Sequence, residues 1–328
     1  MTLDSHILSA LRAAGGGSVS GAELSNLLKV SRAAIWARIE DLRALGYDIE
    51  ASPHKGYRLL GVPDLLHADD LHSLLGQPLV IGRDIRVFEE TTSTNDVVEK
   101  LARDGVNEGV VVFAESQTKG RGRLGRKWLS PARKGIWFSV LLRYATRPQA
   151  ATQLTVAAAV AIANAIKAET GITPEIKWPN DILIRGRKVA GILTELNAEL
   201  DYIKYVILGM GLDVNLRPAD FPAELRPIAT SLMIEAGRPI LRAPLATSIM
   251  RELDRAYDRI KRGEFQQVAD VWEGLCGTIG NFVSIKTGDR EVQGRAEALD
   301  SEGALLVRTE HGRLERVTGG DVTVVKPG

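Results

Sequence analysis

The apolar residues of this 328-residue chain change their spacing twice, and no single layered fold accommodates all three patterns. Over residues 1–62 the period is helical. Ile7, Leu8 and Leu11 make one apolar face, Leu24, Leu27 and Leu28 a second, and Ile35, Ile39, Leu42 and Leu45 a third. Gly15-Gly16-Gly17 and Gly46 end the first and third helices, the second starts near Ser20-Gly21, and Ser31 is placed to cap the third. Two short β-like runs in YDIEASPHKGYRLL then turn around Pro, Lys and Gly. From about residue 83 long helical patterns alternate with strand-like runs, and from 276 five short alternating strands are separated by TGD, SEG and EHG.

The chain therefore reads as multidomain α+β, in keeping with its length. We expect a winged helix-turn-helix over 1–62, a linker with one short helix over 63–82, a mixed-sheet domain over 83–275 with helices packed on one face, and a small all-β barrel over 276–328. In the central domain the strand candidates are 110–116, 135–143, 181–186, 188–196 and 205–215. The helices are expected near 94–104, 152–169 and 243–262.

Composition narrows the function classes. A net charge of +1 means that any nucleic-acid contact must come from a local patch. One cysteine, Cys276, excludes an internal disulfide and a Cys-based zinc site. Histidines 6, 54, 67, 72 and 311 have no metal-ligand spacing. The N-terminal stretch lacks the pattern of a signal peptide, and the most apolar run, 154–166, is too short to span a bilayer. A cytoplasmic protein with no membrane partner is expected.

Residues 119–134, KGRGRLGRKWLSPARK, carry seven cationic side chains and three glycines in sixteen positions, with no acid. Such a segment calls for an arriving anion to neutralise it. Glycine lets the backbone approach a ligand, and arginine brings a donor fork suited to phosphate or carboxylate. Gly120 to Gly125 match G-x-G-x-x-G, but a dinucleotide site needs a helix starting at the third glycine, and Ser130-Pro131 stop one. A mobile basic surface loop is the bland alternative.

Three further segments bear on it. Ser93, Thr94, Asn95 and Asp96 open a helix, either as a capping box of Ser93 with Asp96 or as a hydroxyl and amide site for a neutral polar ring. Lys177-Trp178-Pro179-Asn180-Asp181 presents an ammonium, an amide and a carboxylate on one short turn. Lys188 begins the apolar run Val189-Ala190-Gly191-Ile192-Leu193, and is either solvated or aimed into a pocket.

STN at 93–95, QTKGRGRLGRKW at 117–128, KWPND at 177–181 and KVAGIL at 188–193 resemble, in this order, the motifs of the biotin protein ligases. The segment SRAAIWARIEDLRALGYDIEASPHKGYRL resembles the DNA-binding domain of the bifunctional ligase and biotin operon repressor. The resemblance covers essentially the whole chain. It implies a class II synthetase-like ligase domain followed by an SH3-like barrel, and synthesis of biotinyl-5′-AMP from biotin, ATP and Mg²⁺. The biotinyl group then passes to one lysine of a biotin carboxyl carrier protein.

By motif position, Ser93, Thr94, Asn95 and Gln117 are implied to hydrogen-bond the ureido ring, and Arg121, Gly122 and Arg123 to close over biotin and the phosphates. Lys188 is implied to contact the biotin carboxyl oxygen, Lys177 the α-phosphate, and Trp128 the adenine. Asn180 and Asp181 are candidates for Mg²⁺-ATP contact and for orienting the incoming lysine; Lys188, Arg123, Lys177 and Asp181 form the catalytic set. No metal held by protein ligands alone is expected. Asp213 stands where the family commonly has Asn, and is left outside the site.

In the N-terminal segment the DNA-contact candidates are Ser31, Arg32, Ala33, Trp36 and Arg38 on the third helix, with His54 and Lys55 at the hairpin tip. Seven bases against six acids leave a small helical interaction module open as the alternative. DNA binding would require a dimer, because one such module makes too few contacts. The resemblance implies a homodimer when the adenylate is bound, recognition of biotin operator DNA, and a lid that orders on closing. A lipoate ligase or class II aminoacyl-tRNA synthetase lacks the KGRGRLGRKW and KWPND pair. A ligase without repressor activity is the runner-up reading.

Overall fold

The computed structural model describes residues 2–53, 55–144, 148–199 and 202–325, so His54 lies outside the described residues. The chain forms two compact units: Met1–Gly76 with Leu241–Thr247, and Gln77–Ile240 with Ser248–Gly328. The first unit thus runs past residue 62, and the C-terminal strands lie inside the second.

The first unit contains α1 (Leu3–Ala13), α2 (Gly21–Leu28), α3 (Arg32–Ala44), the antiparallel hairpin β1 (Asp48–Ser52) and β2 (Gly56–Gly61), and α4 (Ala68–Leu75). Side chains satisfy orphan amides at the starts of α2 and α3. Ser20 and Glu23 form a reciprocal box on α2 with bonds of 3.0 and 3.3 Å, and Ser31 Oγ accepts from the Ala34 amide at 3.1 Å on α3. Ile7, Leu8, Leu11, Leu24, Ile35, Ile39 and Leu42 form the buried core with Tyr47 and Ile49. Each such aliphatic side chain contributes roughly 1.5–3 kcal/mol on burial. Two expected core residues lie outside it: Leu27 is 66% exposed and Leu45 38% exposed. The short α2 buries one narrow stripe through Leu24 and Leu28, and Leu45 caps α3 beyond its last turn. The hairpin is pinned by a pair of 2.8 Å amide bonds between Val19 and Tyr57. A Cβ at Gly56 would lie 2.2 Å from the Val19 carbonyl, and φ there is +97°, so only glycine fits.

The second unit is built on a seven-stranded mixed sheet. Its strands are β3 (Asp84–Thr91), β4 (Val110–Gln117), β5 (Gly135–Leu142), β6 (Glu175–Lys177), β7 (Asp181–Ile184), β8 (Arg187–Glu199) and β9 (Tyr202–Asp213). Their order is β3-β4-β5-β9-β8-β7-β6, with only β3 and β4 parallel. β3 and β6 were not expected from sequence. β3 is an edge strand in which the alternation of Asp84-Ile85-Arg86-Val87 is short and is broken by the adjacent Glu89 and Glu90.

Helix α5 (Thr94–Arg103) and helix α6 (Ala151–Thr170) cover opposite faces, which corrects the one-faced arrangement. Asn95 of α5 bonds Glu195, whereas Thr155 of α6 bonds Thr194, its neighbour on β8. Adjacent strand residues project to opposite sides. By length and composition alone α6 could cross a bilayer, being longer than the apolar run 154–166. With 72% of its most apolar stretch buried, it reads as the core helix of the sheet.

α7 (Leu232–Ala236), α8 (Arg242–Lys261) and α9 (Phe265–Leu275) follow. Asp254 of α8 accepts the amides of Leu79, Val80 and Ile81 at 2.6–3.0 Å, fixing the chain just before β3. The C-terminal strands β10 (Phe282–Thr287), β11 (Arg290–Leu299), β12 (Leu305–Arg308), β13 (Leu314–Val317) and β14 (Asp321–Val324) form one antiparallel sheet, in the order β13-β12-β11-β10-β14.

Candidate active site

Three glycines on adjacent strands make the floor of the site. Register places Gly209 of β9 between Ser139 of β5 and Leu193 of β8, and Gly211 between Trp137 and Gly191. Their missing side chains make room for what packs above. A Cβ at Gly209 would lie 2.3 Å from Asn95 Oδ1, one at Gly211 2.5 Å from Trp128 Nε1, and one at Gly191 2.9 Å from the Trp128 ring. Over this floor opens a cavity of about 560 Å³. Ser93, Thr94, Asn95, Gln117, Arg121, Gly122, Arg123, Trp128, Lys177, Asn180, Asp181 and Lys188 all line it.

The start of α5 gives one end its polarity. The Thr94 amide donates to Gln117 Oε1 at 2.8 Å, Thr94 Oγ1 meets Ser139 Oγ at 2.7 Å, and Asn95 Nδ2 donates to Glu195 at 2.6 Å. Ser139 Oγ donates in turn to Asn95 Oδ1 at 2.5 Å. The capping box does not form: Ser93 makes no side-chain cap, and Asp96 instead accepts from Thr92 at 2.9 Å and from Arg121 at 2.6 Å. The Ser93 hydroxyl is thereby left to the cavity it lines.

Lys188 reaches the cavity through a β-bulge. Ile182 pairs with Ala190, but Leu183 pairs with Lys188, so Val189 is the extra residue on β8. In an unbroken ladder Lys188 and Gly191, three residues apart, would point to opposite faces; the bulge takes up Val189 and brings them to the same one. The lysine Cε accordingly comes within 3.1 Å of where a Gly191 Cβ would stand. Its Nζ lies 2.6 Å from Asp181 Oδ1 and 5.2 Å from the centre of the Trp128 ring. Lys177 faces Asp181 across the β6–β7 hairpin, and its tip supplies Asn180, whose Nδ2 donates to the Ile192 carbonyl at 2.9 Å.

The basic segment folds over the opening. It makes a single 3-10 turn, Arg123–Gly125, and no α-helix follows the third glycine. The Gly122 amide bonds the Arg126 carbonyl at 2.6 Å and the Trp128 amide bonds the Gly120 carbonyl at 2.9 Å, closing the turn on itself. Four of its seven cations are paired within the protein, so an arriving anion is not their sole counter-charge. Arg121 pairs with Asp96 and Glu195, Arg126 with Asp321, Arg133 with Glu89 and Lys134 with Asp220. These acids come from elements remote in sequence. Arg123 instead donates to Asn180 Oδ1 at 3.0 Å, and burial pushes its guanidinium down from the ordinary range. Asp213 also lines the cavity, although sequence reasoning left it out. It is buried, and that burial holds its carboxyl well above the usual range, with Lys188 opposing the shift.

A model of the biotin/lipoate A/B protein ligase family matches residues 87–213, the biotin protein ligase C-terminal domain matches 278–325, and an HTH domain matches 4–58. The bifunctional ligase/repressor BirA of Bacillus subtilis (strain 168) is 38% identical over 321 residues, covering 98% of each chain. The chain belongs to the biotin protein ligase family. The bifunctional ligase/repressor BirA of Escherichia coli (strain K12) is 32% identical, over 95% of this chain and 94% of its own. Among solved structures, the biotin protein ligase from Aquifex aeolicus in complex with biotin and ATP superposes with a TM-score of 0.64. It is 29% identical, over 75% of this chain and 100% of that one.

In this biotin protein ligase the N-terminal unit carries the remaining candidates. Ser31, Arg32, Ala33, Lys55 and Trp36 are exposed, the tryptophan by 58%. Arg38 departs from the expectation of a free outward cation. Its guanidinium is bonded to buried Asp4 at 2.6 Å and paired with Asp41 at 3.0 Å. A carboxylate so buried needs a cation, and Arg38 supplies it. Sequence reasoning also missed Ser139 and Glu195, which bond Thr94, Asn95 and Arg121, and Asp321, which bonds Arg126 of the basic segment. Gly191 and Gly209, glycines interrupting apolar strands, were the available signal.

Proposed function

We propose that this chain is an ATP-dependent biotin protein ligase that also represses transcription by binding operator DNA. One cavity with a neutral hydrogen-bonding end and a cationic end carries the ligase reading. The α5 amides and hydroxyls with Gln117 suit the ureido ring of biotin, Lys188, Lys177 and Arg123 suit its carboxylate and the phosphates of ATP, and Arg121, paired with Asp96 and Glu195 beside α5, closes over the biotin. In the first step a biotin carboxylate oxygen bonds the α-phosphorus, and the bond from that phosphorus to the bridging oxygen breaks to release pyrophosphate. Two anions must approach, and fixed cations stabilise the charge that develops. In the second step the amine of a carrier lysine attacks the acyl carbon of biotinyl-5′-AMP, loses a proton and expels AMP.

Lys188 holds the attacking carboxylate, Lys177 the α-phosphate, and Trp128 packs against the adenine. Mg²⁺ arrives as part of the nucleotide substrate, with Asn180 and Asp181 as nearby oxygen donors. Asp181 also orients the incoming amine. Among the described residues no group of three His, Cys, Asp or Glu side chains could hold a metal by itself.

The repressor reading rests on the capped α3 with its exposed Arg32 and Trp36, and on relatives named as ligase and repressor. The protein partner is a biotin carboxyl carrier protein, and the adenylate-bound form is a homodimer. Sedimentation with and without biotin plus ATP, with operator-type DNA added, tests this half. A ligand-dependent dimer that retains DNA is expected. Neither dimer nor DNA binding would leave the ligase alone.

A further inference from the structure

We infer that Glu235 is a positioning residue that holds Lys188 in its aim at the cavity. The inference rests on the role given to Lys188 above. The side chain of Glu235 is 1% exposed, at the end of the short helix α7. It takes three donors: Arg187 at 2.5 Å, Arg185 at 3.2 Å and Thr230 Oγ1 at 2.7 Å. Each stands beside Lys188 in a different way.

Arg187 is its chain neighbour. Arg185 occupies the β7–β8 turn at φ +50°, a left-handed conformation unfavourable to a side chain, followed by Gly186 at +75°. Thr230 belongs to the segment that clasps Lys188 from its free side. The Lys188 amide donates to the Ile228 carbonyl, and the Thr230 amide to the Lys188 carbonyl, both at 2.8 Å. One carboxylate therefore ties the turn, the residue before the lysine and the segment across from it into one unit.

That unit borders the Val189 bulge, the feature that sends Lys188 to the cavity face. A bulge leaves one residue outside the ladder, so neighbouring bonds must hold it in place. Glu235 does so without touching the cavity, which it does not line. Removing its charge frees the turn and lets Lys188 sample positions away from the reacting carboxylate. Misplacement of about 1 Å is enough to slow such a step on the order of 100-fold.

The test compares Glu235→Gln, Lys188→Ala and the double variant by biotin-dependent pyrophosphate exchange and by calorimetry with biotin. Glu235→Gln is expected to lower kcat roughly 10- to 100-fold with the KM for ATP unchanged. It is also expected to weaken biotin binding in the wild-type background and to add nothing to the weakening in Lys188→Ala, because coupled residues are not additive. Glu235→Asp restores part of kcat. Should Glu235→Gln not fold, Arg187→Gln, at a side chain 36% exposed, is read by the same criteria. Full kcat in a folded variant, or equal loss of biotin affinity with and without Lys188, overturns the inference. Absence of exchange in the wild-type protein, or full exchange in Lys188→Ala, would instead overturn the ligase reading or the lysine's role in it.

Discussion

Lys188 Nζ stands 2.6 Å from Asp181 Oδ1, pairing the last residue of the KWPND motif with the first of KVAGIL across neighbouring strands. The same ammonium lies 5.2 Å from the centre of the Trp128 ring.

Lys188→Ala should abolish most adenylate formation, by about 10²–10³-fold in kcat, the cost of removing one preorganised electrostatic contact. The melting temperature should scarcely move, since a partly exposed pair of this kind contributes about 0–1 kcal/mol. Biotin-dependent pyrophosphate exchange beside a thermal scan checks both halves. A variant that exchanges normally would remove Lys188 from the mechanism.

Arg123→Gly should let the adenylate escape. Arg123 ties the basic segment to the KWPND hairpin through Asn180, and losing one charged hydrogen bond, about 1.5–3 kcal/mol, corresponds to roughly 10- to 100-fold faster release. Gel filtration after loading with biotin and ATP measures retention, and labelling of unrelated lysines measures escape. Retention equal to the wild type would defeat the lid role.

Gly209→Ala should destabilise the unit and weaken biotin binding together. The added methyl carbon would lie 2.3 Å from Asn95 Oδ1, and overpacking of this kind costs about 1–3 kcal/mol. Ligand-free denaturant melts and biotin calorimetry report the two effects. Unchanged affinity would mean that Asn95 does not touch the ligand.

Asp213→Asn should stabilise the protein in a pH-dependent way. Burial raises the carboxyl above its unfolded value, so its neutral form favours the folded state, fully so below the unfolded pKa. As pH rises past the ordinary carboxylate range, the unfolded chain ionises while the folded one resists, and stability falls until the folded pKa is passed. Asparagine has no such loss. The difference in melting temperature between variant and wild type should therefore grow from acid toward neutral pH and then level off. A difference independent of pH would contradict the raised carboxyl.

The twelve expected residues that line the cavity were legible because each lies in a short motif of chemically unusual composition. The three helix faces of the first unit were legible because helical spacing repeats within one element. What escaped depends on distance or on backbone register. Asp321 meets Arg126 from 195 residues away, with nothing local to announce it. The bulge at Val189 leaves no mark in an apolar run, so periodicity left Lys188 open between solvent and pocket. Thr194 and Glu195 look alike in pattern, yet they carry helices to opposite faces of the sheet. The charge of residues 119–134 looked uncompensated because its acids belong to other strands and helices.

Activation of biotin in this cavity and its delivery to one lysine are tested directly by incubating the protein with biotin, ATP, Mg²⁺ and the biotinyl domain of a carboxyl carrier protein, followed by peptide mass spectrometry. We predict one biotinyl group on a single carrier lysine, with release of AMP and pyrophosphate and no transfer when ATP is omitted. A carrier left unmodified while the protein remains folded and binds biotin and ATP would contradict the account.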